Sequence, residues 1–293
     1  EISLETNPTS YEAEKFSEFK KAGINRISLG VQALNDADLK FLGREHNAKE
    51  AINVISSLKQ EFANYSFDLI YGLPNKSLKL WQEELLESLK YAGKHLSLYQ
   101  LTIEKGTKFY QLFKSGKLKM QNDDILSEHY KLTTNILKDH GLQRYEISNY
   151  AQKNSQCQHN INYWNYGDYI GIGAGAHGRV TKNGKKIATI NYHLPEKWLD
   201  MVSKKNNGLM QENILSKEDI ISEFLIMRLR LNQKLTNCEV NKICGKNILD
   251  ILREDKLAIL ENENLLNFSE NHLEINENGF LLLEGILSEI VKI

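Results

Sequence analysis

Cysteine is scarce, at three in 293 residues, and Cys157, Cys238 and Cys244 are spaced too unevenly for a disulfide framework or a CxxC metal site. A reducing cytoplasm is the expected compartment. Long apolar runs are missing too: none approaches the roughly 18 residues of a membrane span, and no charged head, apolar centre and cleavage site mark a signal peptide. Charge imbalance is also lacking. With 37 basic and 38 acidic residues the formal net charge is -1, so no global field selects nucleic acid or an anionic surface. A leading methionine is absent as well, and the chain opens at Glu1 into the alternating run 1–5, as a piece beginning inside its first domain would.

The length and a 41% hydrophobic content suffice for one large α/β domain with a small satellite. Short apolar, β-branched runs predict strands at 2–5, 26–31, 66–71, 96–101 and 145–147. Helical periodicity fills the gaps, at 10–22, at 48–61 behind the cap Asn47, at 78–91 and at 123–140. Such alternation predicts βαβ units and a parallel sheet, whose ligand site lies at the carboxyl ends of its strands. The polar side chains there are Glu5, Gln32, Asp68, Gln100 and Thr102. Carboxylates suit ammonium or hydroxyl donors, and Arg44, in the loop twelve residues past Gln32, suits a carboxylate.

Further on, the sequence predicts a strand at 185–191, a helix at 194–202 and a polar linker at 204–213. Helices are expected at 217–231, 236–243 and 247–256, then a hairpin of 265–268 and 272–275 and a last helix to Ile293. Three helices and a two-stranded wing resemble a winged helix. From Ser216 onward, however, 9 basic residues face 14 acidic ones, the reverse of what phosphate contact requires, so no nucleic acid is expected.

The segment HNINYW, residues 159–164, is the most distinctive. On an irregular segment, His159 could ligate iron through an imidazole nitrogen while Tyr163 and Trp164 cover a planar macrocycle. A histidine and aromatics that merely anchor a loop is the plainer alternative. Gly173 to Gly178 spell GxGxxG, but they follow no clear strand and open no helix, so the glycines serve close backbone approach and not dinucleotide binding. His46, His95, His129, His140, His193 and His272 show no ligand spacing and read as surface or core residues.

Taken together, SLETNP (3–8), AGINRISLGVQ (22–32), FLGREHN (41–47), FDLIYGLP (67–74), LSLYQLTIEKGT (96–107), YEISNYA (145–151), HNINYW and YIGIGAGAHGR (169–179) resemble the coproporphyrinogen-oxidase-like branch of the radical SAM superfamily, particularly its heme chaperones. The resemblance implies a partial (β/α) radical SAM-type barrel over 1–180 lacking its first strands, a connection over 181–214 and a small α+β winged-helix-like domain over 215–293. It implies S-adenosylmethionine near Glu5 and His177, and a second such contact at Gln32, Arg44 and Asp68, with Thr102 where relatives carry alanine. It further implies a 4Fe-4S cluster in full-length members, heme bound at His159, and an acceptor hemoprotein as partner. The branch's CxxxCxxC motif and GGGTP-type segment do not occur in this chain, which leaves an oxygen-independent coproporphyrinogen III oxidase or an inactive fragment as alternatives. The oligomer stays open, a homodimer included.

Overall fold

The computed structural model describes residues 1–9 and 13–292, in two compact units, Glu1–Gln156 and Cys157–Ile293. The HNINYW segment and the glycine turn therefore fall in the second unit.

The first unit is built on strands β1 (Ser3–Thr6), β2 (Arg26–Gln32), β3 (Tyr65–Tyr71), β4 (His95–Gln100), β5 (Gln143–Arg144) and β6 (Asn149–Ala151), in the order β1-β2-β3-β4-β6-β5. The first four are parallel, as the alternation predicts, and β6 runs antiparallel to β4 and β5. The sheet is open and β1 is its edge. Between the strands lie α1 (Phe16–Lys21), α2 (Asp36–Phe41), α3 (Ala48–Glu61), α4 (Leu78–Leu89), α5 (Lys108–Lys114) and α6 (Asp123–Asp139). The predicted start of the first helix at residue 10 lies outside the described residues. α3 begins as predicted: Asn47 accepts from the Glu50 N–H, and Glu50 returns the bond to the Asn47 N–H.

Because side chains alternate across a strand, the register sorts them into two faces. One face is apolar and buried: Ile27 and Leu29 of β2, Phe67 and Leu69 of β3, Leu96 and Leu98 of β4. The other carries Arg26, Ser28, Ser66, Asp68, His95, Ser97 and Asn149. Sheets buried on both faces are usually apolar on both, so this polar lining marks the face that meets a ligand or water.

The predicted strand at 145–147 is instead the turn between β5 and β6. Glu146 is 2% exposed, and its buried carboxylate takes hydrogen bonds from the backbone N–H groups of Ile147, Ser148 and Asn149, which a strand ladder would have consumed.

In the second unit come α7 (Gln158–Trp164), β7 (His177–Lys182), β8 (Lys185–Asn191), α8 (Pro195–Lys205) and β9 (Leu209–Ile214), with β7-β8-β9 an antiparallel sheet. HNINYW is thus helical and not irregular. The expected linker at 204–213 is the end of α8 plus an edge strand, disguised because β9 is almost wholly exposed and so carries polar residues. Then follow α9 (Lys217–Arg228), β10 (Leu235–Thr236), α10 (Asn237–Cys244), α11 (Ile248–Ile251), α12 (Glu254–Asn262), β11 (Leu266–Phe268), β12 (His272–Ile275), α13 (Glu277–Phe280) and α14 (Leu283–Ile290). Helices beside the β10-β12-β11 sheet give the winged arrangement.

The single helix expected over 247–256 is two. Leu252 is extended where it bridges Val291, and the Arg253 N–H donates to Ile290 O at 2.8 Å, so a tertiary pairing overrides local propensity. The final helix likewise breaks between α13 and α14. Gly279 lies so close to Leu265 O that a Cβ would sit 2.0 Å from it, and this contact fixes the short helix in place.

Candidate functional sites

At the polar face of the first unit, Asp68 is the central group. Its Oδ1 accepts from Ser28 Oγ at 3.2 Å, and Ser97 donates to it as well. Burial pushes its carboxyl up to about 6, the two serines oppose that rise, and the nearby Glu5 charge adds to it. Tyr99, pushed up to about 12 chiefly by burial, also feels Asp68, Glu146 and Glu5. Glu5, Asp68 and Glu146 thus form one group of carboxyls around the neutral Tyr99 hydroxyl, a setting for a cationic or hydroxyl-bearing ligand.

Behind Asp68 runs a buried chain of hydrogen bonds. Tyr145 Oη is 2.9 Å from His95 Nε2, His95 Nδ1 is 2.8 Å from Ser66 Oγ, and Ser66 Oγ is 3.4 Å from Ser97 Oγ. A carboxylate only accepts, so Ser97 donates to Asp68 and the donors behind it align the same way. His95 stays neutral, its imidazole driven down to about 3 by burial and then by Arg26.

Gln32 ends β2 at φ 73, a left-handed conformation that a glutamine rarely adopts, where the ladder with β3 slips its register. Gly30 leaves room for it: a Cβ there would lie 3.0 Å from Gln32 Nε2. Glu5 is exposed on β1. Arg44 and Thr102 are exposed too, and among the described residues no ion pair joins Arg44 to the acidic group. The alternation in His95-Leu-Ser-Leu-Tyr99 is the sequence signal for His95, Ser97 and Tyr99, which precede the strand end. Glu146 had no such signal.

In the second unit, helical spacing puts His159 and Tyr163 on one side of α7, ring centroids 6.3 Å apart at 22°. Tyr163 in turn meets Trp164 at 5.6 Å and Tyr169 at 5.1 Å. His159 is exposed and the three aromatics half-buried. Ile170 and Ile172, next in sequence to Tyr169, are 76% and 84% exposed. An exposed imidazole beside an aromatic shelf is an arrangement that suits an iron porphyrin.

The shelf is held from beneath. Glu223 of α9 takes two bonds from Arg179, at 2.9 and 2.7 Å, and one from Tyr166 Oη at 2.8 Å, while Lys186 lies 4.4 Å over the Tyr166 ring. The glycine turn has no dinucleotide geometry. Asn191 Nδ2 donates to Gly173 O at 2.8 Å, and a Cβ on Gly171 would meet His177 O at 2.1 Å, so the glycines let the turn lie against β7 and β8. His177 is exposed at the start of β7.

The thiols do not fit an iron-sulfur cluster. Cys157 is buried at the start of α7, whereas Cys238 and Cys244 lie six residues apart on α10, about 240° round the helix. Among the described residues no three metal-ligating side chains converge.

Comparison with known proteins gives these features a family. Residues 1–92 match the radical SAM superfamily and residues 215–282 the HemN C-terminal domain. The heme chaperone HemW of Buchnera aphidicola subsp. Acyrthosiphon pisum is 36% identical over 293 residues, covering 100% of this chain and 75% of that protein. The mitochondrial radical S-adenosyl methionine domain-containing protein 1 of Danio rerio is 32% identical, covering 99% of this chain and 67% of the relative. Across the first curated relatives the chain spans 50% to 75% of their length. The structure of coproporphyrinogen III oxidase (HemN) from Escherichia coli superposes with a TM-score of 0.80 over 98% of this chain and 69% of that one, at 20% identity, a likeness of fold. The chain belongs to the radical SAM superfamily, in the HemN-like branch that includes the HemW heme chaperones.

Proposed function

We propose that this protein is a HemW-like heme chaperone, which binds heme through His159 and passes it to an acceptor protein. The observation that carries the proposal is the stacking of His159 on Tyr163 along α7, continued by Trp164 and Tyr169. The imidazole supplies the axial bond to iron, and the aromatic shelf takes the macrocycle out of water. Exposure of the site suits cargo that must leave again. In the first unit, Glu5 is the side chain proposed to meet the amino-acid or ribose portion of S-adenosylmethionine, and Gln32, Arg44 and Asp68, with Thr102 beside them in the motif, are the positions proposed to meet a second one.

Soret titration of the wild type, His159→Ala and Cys157→Ser tests the assignment. His159→Ala is expected to weaken heme binding about tenfold or more and change the spectrum, with residual affinity from stacking. Cys157, buried at the helix start, is expected to be replaceable by serine with the heme complex intact. Unchanged affinity and spectrum in His159→Ala, with loss in Cys157→Ser, overturns the proposal.

A further inference from the structure

A ligand with a flat apolar body and charged edges must have its charges met as well as its body. The shelf formed by Tyr163, Trp164 and Tyr169 meets only the body. Heme carries two carboxylates on one edge, and a carboxylate left beside an apolar surface without a cation loses much of its solvation. Most guanidinium and ammonium groups around the shelf are already committed. Arg179 is clamped on Glu223 and Gly178 O, and Lys186 on Asp168 and Tyr166 O.

Arg230 differs. Its guanidinium carbon lies 5.6 Å from the Trp164 ring centroid, and among the described residues its one ion-pair partner is Glu284, whose side chain is 75% exposed. The Arg230 side chain is 22% exposed, so the guanidinium is held against the protein while its carboxylate partner stands in solvent, where it contributes little and yields to a competing carboxylate. Guanidinium stacks on an aromatic face and still presents its fork of donors to a carboxylate, which an ammonium cannot do. We infer that Arg230 is the specificity residue of the heme site, exchanging Glu284 for a heme propionate while its plane rests on Trp164. This rests on the chaperone proposal and adds to it a requirement for free carboxylates on the ligand.

The test is a Soret titration with hemin and hemin dimethyl ester in the same detergent, for the wild type, Arg230→Gln, Arg230→Lys and Glu284→Gln. The wild type is expected to prefer hemin about tenfold, the scale of one charge-assisted hydrogen-bond pair. Arg230→Gln is expected to abolish the preference by weakening hemin alone, with the Soret position of the complex unmoved because His159 still ligates. Arg230→Lys should keep part of the preference, and Glu284→Gln, which frees the guanidinium, should widen it about threefold. Equal weakening of both ligands in Arg230→Gln, or a preference that survives Arg230→Gln or fails to widen in Glu284→Gln, overturns the inference. A wild type that binds both ligands equally overturns Arg230 as the anchor and leaves the chaperone proposal standing. One that binds neither overturns both.

Discussion

The two candidate sites treat their histidines in opposite ways. His95 is 1% exposed in the first unit, neutral, and bonded at both ring nitrogens. His159 in the second is exposed, with its imidazole stacked on one neighbouring ring. The first arrangement sets the protonation and direction of a side chain that a small polar ligand would meet. The second sets an imidazole at the surface beside aromatic rings, a setting for something large and flat. Burial therefore separates a histidine that supports a polar face from one proposed as a ligand, and residue type alone does not.

Substitution should sharpen that contrast. His95→Leu strips Tyr145 and Ser66 of a buried partner and is expected to cost about 2–3 kcal/mol, measured as a lower urea midpoint. His159→Ala should change stability by less than about 1 kcal/mol, as exposed positions do. Heme titration should rank the two variants in the reverse order. A His95→Leu protein as stable as the wild type would erase the distinction.

A pH-dependent effect comes from Asp68. Its folded value of about 6 lies above the roughly 3.9 of an unfolded aspartate, so between pH 4 and 6 the folded state holds the extra proton. Stability from this group is therefore full below about pH 4 and falls as pH rises through 6. The whole change is at most about 3 kcal/mol. Asp68→Asn should flatten this part of the pH profile and be the more stable form at pH 7, with the gap closing toward pH 4. Parallel profiles for the two proteins would show that Asp68 is not buried as an acid.

Much of this was legible in the sequence where the signal is local. Asn47 with Glu50 announces α3, and the β8 strand at 185–191 and the hairpin strand at 272–275 read directly from their patterns. What stayed hidden depends on partners distant in the chain. Glu146 sits in a turn because of its own buried carboxylate, Leu252 breaks a helix to pair with Val291, and β9 passes for a linker because an exposed edge strand is polar. At the sites the same division holds. HNINYW was visible as a string, but that it is helical, which aligns His159 with Tyr163, was not. The Tyr145-His95-Ser66-Ser97 chain depends at once on the β3-β4 register and on the turn between β5 and β6.

The smallest expected effect concerns Gln32, where the backbone itself separates site from scaffold. A glutamine at φ 73 costs on the order of 1 kcal/mol relative to an unstrained residue, and glycine adopts that conformation freely. Replacing it in a pure scaffold position would simply raise stability. Glycine also gains freedom in the unfolded chain, which offsets part of the relief, so Gln32→Gly is expected to stabilise the fold by only a few tenths of a kcal/mol. The amide lost with it lies over Gly30 on the polar face. S-adenosylmethionine affinity, measured by calorimetry on the same protein, should fall while the urea midpoint rises slightly. That opposite movement is the signature of strain retained for binding. If Gln32→Gly raises stability and leaves S-adenosylmethionine affinity unchanged, the left-handed residue belongs to the scaffold alone, and the polar face loses one of its proposed contacts.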